Sequence, residues 1–450
     1  MIDLLIRDID VVDPALGVRR GSVLIDAGQI VEVAPEARGV RAREVIDGRG
    51  LHLFPGVIDP HTHLGFAGDL RGDLHTETRS AALGGVTTVL SFHRHYASAD
   101  PEPYDIDELA QLIEDTAAVD VGLHLGMLTQ AQVDHLPSYI DQGVSSFKFY
   151  LAYRGADAKT VGMVNEIDDA VLYEAFGHLG RRPHTVAGIH AENTELVARH
   201  LAAARERGDD LAAWSAARPV VSEMEGVSRV SFFAELTGAA LYIVHVGSPE
   251  VLDYAHRQRQ RVRVSIETCP HYLTHTVDHP IGTRAKINPP IRDTAAREGV
   301  WHRLRDGVVD TIGTDHCAVH SSTKEGSVWG ASAGFAGMAT LLPVLISEGH
   351  HRRGLSLPTI ARLTSANAAR LFNLPQKGSL RAGADADLVL VDLHREWTVD
   401  ALHLESASDF SIYDGTTLTG LPVCTIARGE VVARDGEVTA AVGRGRFLHR

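Results

Sequence analysis

The strongest constraint on the fold is a series of short apolar runs through the middle of the chain, several of which carry a histidine, lysine or acidic residue inside or at their end. They read "GVIDPHTH", "GVTTVLSF", "VGLHLGM", "SSFKFYLAY", "TVAGIHAEN", "LYIVHVGS", "VRVSIETCP" and "VDTIGTDHC". Between several of them lie helix-like stretches such as "DIDELAQLIEDTAAV" and "AREGVWHRLRDGV". Strands alternating with helices specify βα units and a parallel sheet, an α/β architecture. Roughly eight such units over about 300 residues predict a (β/α)8 barrel, in which chemistry sits at the C-terminal ends of the strands.

The two ends of the chain have a different texture. "SVLIDAGQIVEVAP" alternates around a turn at Ala27-Gly28, and "PVCTIARGEVVARDGEVTA" does the same around Arg428-Gly429 and Asp435-Gly436. The expectation is a small β-sandwich domain assembled from residues 1–52 and 376–450, flanking a barrel over residues 53–375.

Bulk properties narrow the function. A length of 450 residues with 44% hydrophobic content is enough for a large core and more than one domain. The formal net charge of −15 argues against nucleic acid as a partner, which calls for a basic face. Cys269, Cys317 and Cys424 are scattered and odd in number, so no disulfide framework is expected. The start, "MIDLLIRDIDVVD", lacks the basic and unbroken apolar blocks of a signal peptide, and no stretch reads as a membrane span. The expectation is a cytoplasmic protein with no membrane partner.

The candidate chemistry lies at the ends of the apolar runs. In a strand, residues two apart share a face, so His61 and His63 can reach one point in a barrel mouth. Lys148 stands inside "SSFKFYLAY", where an ammonium would be surrounded by apolar groups and would have to find a partner or lose its proton. A neutral amine there can react with CO2 to give a carbamate, an anionic ligand able to bridge two metals. His190, His245 and Asp315 end three further runs. Any one of them alone reads as a satisfied core polar group. Repeated around one rim, imidazole and carboxylate groups read as a centre for zinc or a similar divalent ion.

These residues, in this order and context, resemble the cyclic-amide branch of the amidohydrolase superfamily, which contains hydantoinases and dihydropyrimidinases, allantoinases and dihydroorotases. The likeness runs nearly end to end through "PGVIDPHTH", "GGVTT", "HAEN", "IVHVGS", "ETCPHYL", "PPIR", "GTDH" and "GSLRAGADADLVLVDL". It implies two divalent metal ions, zinc by family, bridged by N-carboxylated Lys148. His61, His63 and Asp315 would hold the more buried ion, and His190 and His245 the more exposed one. A hydroxide shared by the ions would be the nucleophile, with Asp315 as proton carrier. The resemblance further implies a small cyclic amide as substrate and a homo-oligomer, tetramer or dimer.

The ring is less constrained. Gly65 and Phe66 stand where dihydroorotases of this pattern carry a carboxylate-binding arginine. Tyr153, five residues after Lys148, resembles the hydantoinase and dihydropyrimidinase tyrosine that stabilises the oxyanion. Asn288, in "INPPIR", occupies the place whose backbone reads the ring amide in that family, and Phe66 is assigned to the substrate pocket. Two segments depart from the hydantoinase pattern: His93-Arg94-His95-Tyr96, and the loop "SAGFAGM" at residues 332–338, which is closer to allantoinase-like members. Lys324-Glu325 reads as a solvated pair. The expected activity is ring opening of hydantoinase or dihydropyrimidinase type. Allantoinase is the alternative, ahead of dihydroorotase, a mononuclear deaminase or a non-catalytic scaffold.

Overall fold

The computed structural model describes residues 1–94, 103–153 and 164–450. Strands β1 (Ile2–Asp13), β2 (Gly17–Asp26), β3 (Gln29–Ala34), β4 (Ala42–Asp47) and β5 (His52–Pro55) open the chain. The middle carries β6 (Val57–Thr62), β7 (Val86–His93), β8 (Asp120–Gly126), β9 (Ser146–Tyr150), β10 (Val186–His190), β11 (Leu241–Ile243), β12 (Val264–Thr268) and β13 (Thr311–Ile312). The C-terminal part adds β14 (Leu388–Thr398), β15 (Thr417–Ala427), β16 (Glu430–Arg434) and β17 (Glu437–Val438).

Strands β6 to β13 pair in parallel, in chain order. A bridge from Thr62 to His316, with the His63 N–H donating to the His316 carbonyl at 2.7 Å, brings the two edges together as a (β/α)8 barrel. Every residue of β6, β8, β9 and β10 is buried. Strands covered on both faces explain why the sequence shows continuous apolar runs here rather than alternation. The helices between them start where the sequence supplies a cap. Asp105 accepts from the Glu108 N–H and begins Ile106–Thr116, which buries Ile106 and Ile113. Asp293 accepts from the Ala296 N–H and begins Thr294–Arg305, which buries Val300, Trp301 and Leu304.

Both ends of the chain join one nine-stranded sheet, in which β5 pairs with β1 on one side and β14 on the other. Its two halves fold over a shared core of Ile6, Val23, Ile25, Leu388, Leu390 and Ile426. The turns expected from sequence are present as two-residue hairpins with positive φ at both positions: 49° and 79° at Ala27-Gly28, 41° and 76° at Arg428-Gly429. These two turns touch across the fold, since a Cβ on Gly429 would come within 3.0 Å of the Gly28 Cα. The sheet reaches Pro55, beyond the edge expected at residue 52. The final residues leave it to run along β8, where Phe447 bridges Val121.

Sheet and barrel are pinned together at the barrel's base by a buried cation. Lys377 Nζ lies 2.8 Å from Asp120, 2.6 Å from Asp387 and 3.3 Å from Asp385. These three aspartates are close enough to bind a metal, but the ammonium already supplies their counter-charge. Among the described residues, no helix is long and apolar enough to cross a membrane.

Candidate metal centre

The barrel rim gathers the singled-out side chains. His61 lies near the end of β6, and its Nδ1 lies 2.6 Å from Glu267 Oε1, which leaves Nε2 facing Asp315 Oδ1 at 3.1 Å. His63 Nε2 lies 3.0 Å from the same Asp315 oxygen and 3.3 Å from His61 Nε2. On the other side, His190 Nε2 meets Glu192 Oε2 at 2.7 Å, which turns Nδ1 toward His245 Nε2 at 3.0 Å. The His61 and His245 rings are 5.3 Å apart, so the two groups are neighbours. Lys148 is 1% exposed, and among the described residues its Nζ has no hydrogen-bond partner while lying 4.2 Å from the centre of the Phe92 ring.

Burial favours the neutral form of three of the four imidazoles. Burial lowers His63 to about 4, and pushes His245 well below the usual imidazole value. His190 is lowered by burial against the pull of Glu192. Burial also opposes charge on His61, but the Glu267 and Asp315 carboxylates outweigh it and favour positive charge there. Asp315 is itself held well below the carboxylate range: burial works against its charge, and His61 and His63 overcome that. Burial brings Lys148 down to about 7 despite the attraction of Asp315 and Glu267.

A pocket of about 590 Å³ opens above this cluster, lined by His63, Lys148, His190, His245 and Asp315 together with Phe66, Arg94, Tyr150, Tyr153 and Asn288. His61 lies beneath it, fully buried. Tyr153 faces the His190 ring at 5.1 Å, and its hydroxyl accepts from Asn288 Nδ2 at 3.0 Å. The Asn288 side chain thus contacts Tyr153, where the sequence pointed only to its backbone. Phe66 forms a wall, with the Arg94 guanidinium 5.6 Å from its ring centre. Tyr153, His245 and Asp315 have φ of 60°, 44° and 54°, a left-handed backbone that non-glycine residues adopt at a cost. Three such residues at one rim mark a site held in place by its surroundings.

The comparisons agree with this geometry. The pattern of the amidohydrolase family matches residues 262–445. An allantoinase from Deinococcus radiodurans is 36% identical, over 99% of this chain and 98% of its own. The chain belongs to the amidohydrolase family. An L-hydantoinase from Paenarthrobacter aurescens is 30% identical over 100% of this chain and 98% of its own. Among solved structures, an L-hydantoinase (dihydropyrimidinase) from Arthrobacter aurescens superposes with a TM-score of 0.92 at 30% identity, covering both chains fully. A D-hydantoinase (dihydropyrimidinase) from Thermus sp. gives a TM-score of 0.90 at 26% identity, over 99% of each chain. This amidohydrolase thus shares the whole hydantoinase architecture, barrel and terminal sheet together. The family is metal-dependent, and His61, His63 and Asp315 place their ligand atoms within 4.8 Å of one another.

Several site residues were not assigned from sequence. Glu267 closes the run "VSIET" and binds His61 Nδ1, the His245 N–H at 2.8 Å and the Tyr242 hydroxyl. Its position at a run's end, like that of the histidines, was the available signal. Asp59, within "VIDPHTH", accepts from the His61 N–H and from the Thr314 backbone and hydroxyl, tying β6 to the segment that carries Asp315. Lys324 corrects an expectation. It is 1% exposed rather than solvated, because its ammonium donates to the carbonyls of Lys286 and Ser332 and so fastens the loop behind Ala333 and Gly334. Of the His93–Tyr96 segment, Arg94 lines the pocket and His93 packs near Tyr104; His95 and Tyr96 lie outside the described residues.

Proposed function

We propose that this chain opens a five- or six-membered cyclic amide, imide or ureide ring by hydrolysing its C–N bond, as a cyclic amidohydrolase of hydantoinase or dihydropyrimidinase type. The observation that carries the proposal is the convergence of four histidines, Asp315 and an unpartnered buried lysine beneath one pocket, in a chain aligned end to end with an allantoinase and an L-hydantoinase. Imidazole nitrogens and a carboxylate oxygen crowded at 3.0 to 3.3 Å are an arrangement that a shared cation satisfies. Lys148 fits the same group, because a buried amine lacking any acceptor becomes a useful ligand once N-carboxylated. His61, His63 and Asp315 would then hold one divalent ion and His190 and His245 a second, with carboxylated Lys148 between them; zinc suits this N/O donor set. Bound ions of this kind supply Lewis acidity and activated water near neutral pH.

The chain's own groups do the rest. Asp315, which lines the pocket, would carry a proton to the leaving ring nitrogen, which departs poorly unless protonated. Tyr153, oriented by Asn288, would donate to the oxygen on which charge develops. The Asn288 backbone would read the ring amide, and Phe66 would cover its face. We further propose a homo-oligomer and a small-molecule substrate. The allantoinase reading stands beside this one, supported by the 36% identical relative and by Ala333 and Gly334 of the "SAGFAGM" loop in the pocket wall.

Metal-loaded protein assayed side by side on hydantoin, dihydrouracil and allantoin separates the two. Turnover of hydantoin or dihydrouracil well above allantoin supports the first reading, and the reverse order supports the second. No ring opening on any of them by protein holding two ions per chain would refute both.

A further inference from the structure

A buried ion-pair chain lies behind His190. Glu192, two residues past His190 and fully buried, receives the His190 Nε2 proton on Oε2 and grips Arg218 with both oxygens, at 2.8 Å to Nε and 2.6 Å to Nη2. Arg218 is 2% exposed and lies at the junction of the helices Leu211–Ala217 and Val220–Thr237. Its guanidinium sits 5.8 Å from the centre of the Tyr153 ring and 5.5 Å from that of Trp214. Trp214 is itself anchored, donating from Nε1 to the carbonyl of Ile287, the residue before Asn288. Beyond it, Arg292 pairs with buried Glu223 at 3.0 Å and donates to the Ser215 carbonyl and hydroxyl.

Buried ion pairs of this kind add little net stability, since desolvation consumes what attraction returns. What this one does add is geometry. A carboxylate on Nε2 fixes which His190 nitrogen keeps its lone pair, and a two-pronged guanidinium fixes the carboxylate. The same guanidinium lies within cation–π reach of the ring of Tyr153, whose own backbone is in a left-handed conformation that needs external support.

We propose that Arg218 is a positioning residue: one guanidinium, acting through Glu192 on His190 and directly against the Tyr153 ring, aligns the ligand of the more exposed ion with the group that faces the reacting carbonyl. The inference rests on the reading of His190 as a metal ligand. It is specific in what it predicts, because the effect should fall on one ion and on one tyrosine, and spare the ion held by His61, His63 and Asp315.

The test compares Arg218→Met, Arg218→Lys and the double variant Glu192→Leu/Arg218→Met with the unaltered protein. Zinc content is measured after dialysis against graded chelator, with circular dichroism to confirm folding. The double variant removes the whole pair without stranding a buried charge, so it keeps the test meaningful if Arg218→Met does not fold. The expected result is two ions per chain in the unaltered protein. In Arg218→Met and the double variant, one of the two should be lost at 10- to 100-fold lower chelator strength, the other being retained. Lysine should rescue only part of this, because an ammonium supplies the charge without the fork or the flat face. kcat should fall more than KM rises. Two ions retained with unaltered affinity in the folded double variant would overturn the role of Arg218. An unaltered protein that binds no second ion would overturn the reading of His190 as a ligand, and the Arg218 role with it.

Discussion

Lys148→Met tests the site through the fold. The side chain is fully buried and close in length to methionine, so the exchange removes one nitrogen from the site and leaves the packing against Phe92 largely intact. In metal-free, carbamate-free protein the lysine is a burden. Its unfolded value is the ordinary 10.5, while burial lowers the folded value to about 7 against the opposing pull of Asp315 and Glu267. The unfolded chain therefore binds the extra proton between these two pH values, and stability of the unaltered protein should rise with pH across that window. At pH 7 the shift corresponds to about 4 kcal/mol of lost stability, since each pKa unit is worth about 1.4 kcal/mol. Lys148→Met should abolish ring opening and lower metal content. Yet the stripped variant should be several kcal/mol more stable than the stripped parent at pH 7, with the gain shrinking as pH rises toward 10.5. Urea melts of both proteins at pH 7, 8.5 and 10 read this directly. A stripped variant no more stable than its parent at pH 7, or a gain independent of pH, would refute the view that this amine is held neutral by burial.

Two further outcomes are expected. Tyr153→Phe removes the hydroxyl proposed to meet developing charge and keeps the ring that packs on His190; kcat should fall about 10²- to 10³-fold with metal content unaltered, measured by steady-state kinetics and metal analysis. Gly226→Ala would set a methyl 1.7 Å from the Ala191 carbonyl oxygen, beside His190 and Glu192. The helix Val220–Thr237 must move away, at a cost of about 1–3 kcal/mol in chemical denaturation, with loss of the ion nearest His190.

The barrel was legible because parallel strands covered on both faces must be written as unbroken apolar runs, and the terminal sheet because hairpin turns such as Arg428-Gly429 demand particular residues. The ends of those runs also exposed His61, His63, His190, His245 and Asp315, and Lys148 stood out inside one, for a polar group in or closing an apolar strand needs a reason to be there. Sequence therefore determined the strand ends and the kind of chemistry they can carry. It could not assign what depends on distance across the fold. Glu267 looked like any strand-end glutamate until β12 brought it 2.6 Å from His61 Nδ1, and Arg218 stood between two helices with no local pattern to connect it with Glu192, 26 residues away. Lys324 read as solvated because charge is normally exposed, and only the carbonyls converging on it show why it is buried. Which nitrogen of His61 and of His190 faces the site was decided by Glu267 and Glu192, because a hydrogen bond is fixed by position in space and not by spacing along the chain.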